Sequence, residues 1–133
     1  MMKKTLAVSF VLVIILTVLH ADVYARYNYT SSVSSALTIS GKTAYCNSRA
    51  TGMSMVTKIA GVQYLQKKGL FGLWSTVENG TWTKTVNTNL IEMNNNQKSN
   101  LESGTYRVRT VFTVYSGNNS EEVEKISSEA TVQ

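Results

Sequence analysis

The side chains that most enzymes depend on are nearly missing from this chain. One histidine, His20, and one aspartate, Asp22, fall within the first 25 residues, and the single cysteine, Cys46, follows them. If that opening segment is removed, a Ser or Cys nucleophile has no imidazole to take its proton, so histidine-based acyl transfer is closed. One Cys cannot build a zinc site, and calcium wants clustered Asp, of which none is left. Ser and Lys are abundant, but no spacing marks a Ser-Lys pair. Glycoside hydrolysis needs only two carboxylates, and seven glutamates remain. Four of them, Glu121, Glu122, Glu124 and Glu129, sit near the C-terminus, where a charged strand edge that resists pairing is the ordinary reading. The expectation is a chain with no catalytic residues, no metal site and no cofactor.

The aromatic residues are the better candidates for binding. Trp74, Trp82, Tyr64, Phe71 and Tyr115 could supply stacking platforms for sugar rings. The same side chains also fill β cores, where each buries roughly 150 to 250 Å². Trp74 and Trp82 are therefore possible ligand-binding residues, and exposure decides between the two roles. Coplanar on one accessible face, they favour a glycan; buried, they leave a protein partner. Asn28, Asn79 and Asn118 open three glycosylation sequons, which in a bacterial protein would mean nothing beyond turn-forming Asn.

The opening segment reads as an export signal. Lys3 and Lys4 precede an apolar run from Leu6 to Leu19, and Val23 and Ala25 offer the small residues a signal peptidase accepts. Fourteen residues of helix rise roughly 21 Å, short of the ~30 Å hydrocarbon core, so a permanent span is the weaker reading. Residues 1–25 are the expected signal peptide, with cleavage after Ala25 and a secreted, extracellular product that keeps no stable membrane span. Residues 26–133 hold 11 Lys and Arg against 7 Glu. That +4 is spread along the chain, with Lys67-Lys68 its only adjacent pair and Arg107 and Arg109 the nearest thing to a basic stripe. It suits weak attraction to an anionic envelope and argues against nucleic acid. In an oxidising compartment Cys46 has no partner within the chain, so no internal disulfide is possible and burial as a small hydrophobe is expected.

Secondary structure must position whatever binds. Residues 26–35, ending in a Ser-rich stretch, have the composition of a flexible leader, and residues 36–133 form one domain of period-2 segments separated by turns. Ala44, Cys46, Ser48 and Ala50 share one face of a strand, and Tyr106, Val108, Thr110, Phe112 and Val114 one face of another. Ile39, Ala44, Cys46, Val108, Phe112 and Val114 are the expected core. The 57–67 run alternates in either sense, and a bulge near Gly61 would reconcile the two. Asn79-Gly80 reads as a hairpin turn, Asn94 to Gln97 as a polar loop, and the uneven spacing of Val123 and Ile126 as a bulge or a frayed edge. Seven or eight short strands in about 100 residues predict an all-β, antiparallel sandwich, with a small barrel as the competing architecture. Leu101 to Val108 resembles the tyrosine corner of immunoglobulin-like domains. With no second Cys and no Trp in the 57–67 strand, an immunoglobulin-like or fibronectin-III-like sandwich of divergent type is expected.

The segments Leu37 to Cys46, Val56 to Ile59, Tyr64 to Lys68, Leu73 to Val77 and Gly104 to Gly117 together resemble an uncharacterised family of small secreted β-sandwich proteins of Gram-positive gut bacteria. The resemblance covers most of residues 36–117 and implies origin and export, with no active site to carry over. It leaves two main function classes. One is an extracellular interaction module that contacts a protein or cell-envelope component through the 67–72 connection and the turns at Asn79-Gly80 and Ser116 to Asn119. The other is a carbohydrate-binding module using exposed aromatics. A membrane-active toxin is a third.

Overall fold

The computed structural model describes residues 27–133, so the signal expected over residues 1–25 lies outside the described residues. Eight strands follow: β1 (Thr30–Ser40), β2 (Thr43–Gly52), β3 (Lys58–Lys68), β4 (Trp74–Val86), β5 (Leu90–Lys98), β6 (Gly104–Ser116), β7 (Asn119–Ile126) and β8 (Ala130–Val132), with a 3-10 turn at Leu70–Gly72. All pairings are antiparallel. One sheet has the order β1-β2-β5; the other has the order β4-β3-β6-β7, with β8 also on β6.

The two sheets share a core because their inward residues alternate as the sequence predicts. Ala44 and Cys46 of β2 pack with Leu65, Tyr106, Val108 and Val132 at one end. Ala50, Ile91 and Met93 pack with Ile59, Phe112, Val114 and Val123 at the other. Of the expected core, only Ile39 stays half-buried. Tyr106 donates its hydroxyl hydrogen bond to the Glu102 carbonyl, four residues upstream, at 2.6 Å.

Between the two apolar clusters lies a polar layer. Gln63, Ser48 and Thr110 occupy the midpoints of β3, β2 and β6, each flanked along its strand by core positions. Gln63 Nε2 donates to Ser48 Oγ at 2.8 Å, Ser48 Oγ and Thr110 Oγ1 share a bond at 2.6 Å, and Asn96 Nδ2 of β5 donates to Gln63 Oε1 at 2.7 Å. Ser35 of β1 reaches Thr110 at 3.3 Å. Buried amides and hydroxyls are tolerated when partnered in this way.

Several expectations need correction. Residues 30–35 are not a flexible leader: they pair with β2, Val33 packs on the core, and Ser35 joins the polar layer. Serine composition suggested solvation, but an edge strand asks mainly for backbone partners. Asn79-Gly80 is not a hairpin turn. Both halves of β4 pair with β3, and Val77 to Gly80 form an excursion opposite Leu65. Only Asn79 takes positive φ, whereas a type I′ turn needs it twice. A Cβ at Gly80 would meet Leu65 Cβ at 3.3 Å, so the glycine serves close packing. Asn94 to Gln97 belongs to β5, where a bulge leaves Asn95 at φ 57°, its N–H bonded to Asn47 Oδ1. No bulge interrupts the β3–β6 pairing at Gly61; a Cβ there would lie 2.7 Å from Met93 Sδ, which is why the residue is glycine. The β6–β7 pairing is also unbroken through Ile126. The irregularity falls at Ser127, which exchanges two hydrogen bonds with the Val108 backbone before β8 resumes.

Gln63→Leu should cost about 1 to 3 kcal/mol in urea unfolding, because it strands the Asn96 amide and removes a donor from Ser48. Burial pushes the Cys46 thiol up to about 12 from its ordinary 9.0. The unfolded thiol therefore ionises first, and this contribution to stability is full below pH 9 and lost as pH rises towards 12. Comparing the alkaline limb of wild-type and Cys46→Ala unfolding curves measures it, and the native thiol should resist labelling that the unfolded chain accepts.

Candidate functional site

Cross-strand partners point to the same side of a sheet, which fixes where the two tryptophans lie. Trp82 pairs with buried Gln63, so it points inward at the sheet edge and packs against both core clusters. Trp74 pairs with Lys68 on the outward face. The four-residue excursion between them places the two rings on opposite faces, so they form no common platform.

Trp82 walls a cleft of about 200 Å³ on the seam between β4 and β5, together with Lys84, Glu92, Asn94 and Asn96. Lys84 Nζ donates to the Glu92 carbonyl at 2.7 Å across that seam. Asn96 ties the cleft to the buried polar layer through Gln63. The cleft offers one aromatic flank, two side-chain amides and one carboxylate.

The outward face of the larger sheet carries alternating cations and rings. Arg107 stacks over Trp74 with its guanidinium carbon 4.3 Å from the ring centroid, and Lys68 approaches the same ring at 5.9 Å. Gln66 Oε1 accepts from Arg107 Nε at 2.9 Å. Arg109 lies 5.4 Å from the Tyr64 ring and pairs with Glu124 at 2.9 Å. Lys58 covers Tyr115 at 4.7 Å at the far end. Such contacts hold long cationic side chains flat on the sheet while leaving charge accessible.

At the end of this face, the turn between β3 and β4 exposes three large apolar residues. Leu70 is 84% exposed, Phe71 98% and Leu73 71%. Gly69 N–H donates to the Leu73 carbonyl at 2.6 Å and Leu73 N–H to the Leu70 carbonyl at 3.4 Å, closing the turn beneath them. Phe71 at φ 62° and Gly72 at φ 74° are both left-handed. A phenylalanine there costs roughly 1 to 2 kcal/mol relative to the right-handed region, and its ring gains no cover in return. The sequence marks the 67–72 connection as a contact element and Phe71 as a candidate aromatic, but not Leu70, Phe71 and Leu73 as one exposed apolar group. The available signal was a turn filled by Leu, Phe and Leu where polar residues are usual.

The carboxylates are mostly engaged in structure. Glu121 accepts the Asn28 and Tyr29 N–H groups, tying β7 to the residues just before β1. Glu92 faces Arg49 at 3.7 Å and Glu129 faces Lys68 at 3.6 Å. Glu102 accepts from Lys67 at 3.0 Å, and that hydrogen bond raises the Lys67 ammonium above its ordinary range. Burial likewise holds the Tyr106 hydroxyl high. Lys67, Glu102 and Tyr106 border a second cleft of about 350 Å³ with Glu78, Lys98 and Leu101. Among the described residues no group of three or more His, Cys, Asp or Glu is close enough to hold a metal ion, and no helix is long and apolar enough to cross a membrane.

Comparison with protein-family models, with curated proteins and with solved structures found no match for this chain.

Because Gly removes both the ring and the left-handed penalty, Phe71→Gly should leave the melting temperature unchanged or raise it by the equivalent of about 1 kcal/mol. Differential scanning calorimetry checks this, and a large loss of stability would show that the ring is packed after all.

Proposed function

We propose that the chain is a secreted, non-catalytic interaction module that contacts an extracellular protein or cell-envelope component. The observation that carries the reading is the closed turn with Leu70, Phe71 and Leu73 turned to solvent. Large apolar side chains exposed together, and held by a backbone that disfavours the residue present, are what a contact surface requires. Export rests on Lys3, Lys4, the apolar run and the Val23/Ala25 pair; the absence of His and Asp from residues 26–133 supports a binding role over a catalytic one.

We read the architecture as an immunoglobulin-like or fibronectin-III-like sandwich. The Tyr106 to Glu102 bond and the burial of Cys46 and Val108 in one core cluster support that reading. A glycan-binding role is the second reading, and the Trp82 cleft favours it: one ring flanked by Glu92, Asn94 and Asn96 suits a single sugar edge better than a flat platform.

Two measurements separate these readings. Secreted protein recovered from medium should begin at Arg26 and should be retained by isolated cell envelopes, with retention falling about tenfold or more in Leu70→Ser and Leu73→Ser. Equal retention of these variants would remove the turn from the contact. Titration with a panel of soluble glycans, followed by tryptophan fluorescence, should give a flat response; a saturable shift abolished by Trp82→Phe would establish the glycan reading instead.

A further inference from the structure

We infer that the Leu70–Leu73 turn is an interfacial anchor that docks the domain end-on to an anionic lipid surface. The inference rests on the reading of this turn as the contact element and names its partner. Three features beyond apolar exposure point to lipid.

The first is shape: the side chains crown a tight turn and enclose no groove, so they suit insertion into a soft interface. The second is the collar of charge behind them. Lys42 in the β1–β2 turn, Lys67 and Lys68 at the end of β3, Lys98 at the end of β5 and Arg107 near the start of β6 all lie at this end of the domain, against the carboxylates Glu78, Glu102 and Glu129. Lys42, Lys98 and Arg107 pair with no carboxylate among the described residues. Apolar side chains at the apex with cationic heads one layer back match the depth profile of an anionic interface, where acyl chains lie beneath negative headgroups. The third is Trp74, next to Leu73 in sequence, half-buried and held under Arg107 at 4.3 Å. That is the level at which interfacial tryptophans lie. A protein partner could receive the apex in a pocket, but neither the collar nor the placement of Trp74 would be needed for it.

The anchor is shallow. Three side chains and a few cations give reversible, salt-sensitive attachment and no insertion of a span.

The test uses the secreted protein with vesicles of phosphatidylcholine alone and of phosphatidylcholine mixed with phosphatidylglycerol. Sedimentation should show binding to the mixed vesicles, weakened by added salt, and reduced about tenfold or more by Phe71→Gly, a variant whose melting temperature should be unchanged or raised. In a Trp82→Phe background, the remaining Trp74 emission should shift to the blue on binding. Absence of sedimentation with mixed vesicles, or equal binding by Phe71→Gly, overturns the inference. If lipid-extracted envelopes still retain wild type and release Phe71→Gly, a protein occupies the turn: the inference falls and the contact reading stands. If whole envelopes retain Phe71→Gly as well as wild type, the contact reading falls too.

Discussion

The two sheets of this protein are held in register by the Gln63 amide. It bonds Ser48 on the facing sheet, receives Asn96 from β5, and lies beside Thr110, its partner on β6. An apolar core alone would accept a slide by two residues along any strand, because period 2 restores the same face. The polar layer does not: such a slide would set Ser48 or Thr110 against leucine or valine and leave Gln63 unpartnered, at the desolvation cost of each group. One amide between two apolar clusters thus converts a permissive core into a single arrangement.

β3 carries that constraint to the surface. Its inward residues Ile59, Gly61, Gln63 and Leu65 belong to the core, while Tyr64, Gln66 and Lys68 alternate outward against Arg109, Arg107 and Trp74. The strand then ends in the turn that lifts Leu70, Phe71 and Leu73 clear of the domain. A fixed β3 therefore fixes where the cationic rows and the apolar apex lie relative to each other. Glu102 adds a second clamp at the same end, holding Tyr106 through its carbonyl and Lys67 through its carboxylate.

Alternation made β2 and β6 legible, together with the burial of Cys46, Val108, Phe112 and Val114, because each position has one simple neighbourhood and a period-2 pattern reports it. Tyr106 was legible for the same reason, with Gly104 two residues before it. What failed were positions whose environment is set by another strand. Gln63 looks misplaced on an apolar face until Ser48 and Asn96 are known to converge on it. Ser31 to Ser35 reads as leader until β2 supplies its backbone partners. Asn79-Gly80 and Asn95 carry turn chemistry, but that chemistry is spent on bulges inside continuous strands, and a local sequence cannot tell a bulge from a reversal. Trp74 and Trp82 stand out in the sequence as residues needing placement; the excursion at Val77 to Gly80 that puts them on opposite faces has no signature of its own. The 67–72 connection was legible as a contact element, but the joint exposure of Leu70, Phe71 and Leu73 was not, because each residue is ordinary by itself.

The turn is the part of the domain proposed to meet a partner, and a photoreactive phenylalanine analogue at position 71 tests this most directly. Added to intact cells and irradiated, protein carrying the analogue at 71 should become covalently attached to the envelope, whereas the same analogue at position 115, at the opposite end of the sheet, should leave the protein free. Equal attachment from both positions, or none from 71 under conditions where the unmodified protein is retained, would contradict the account.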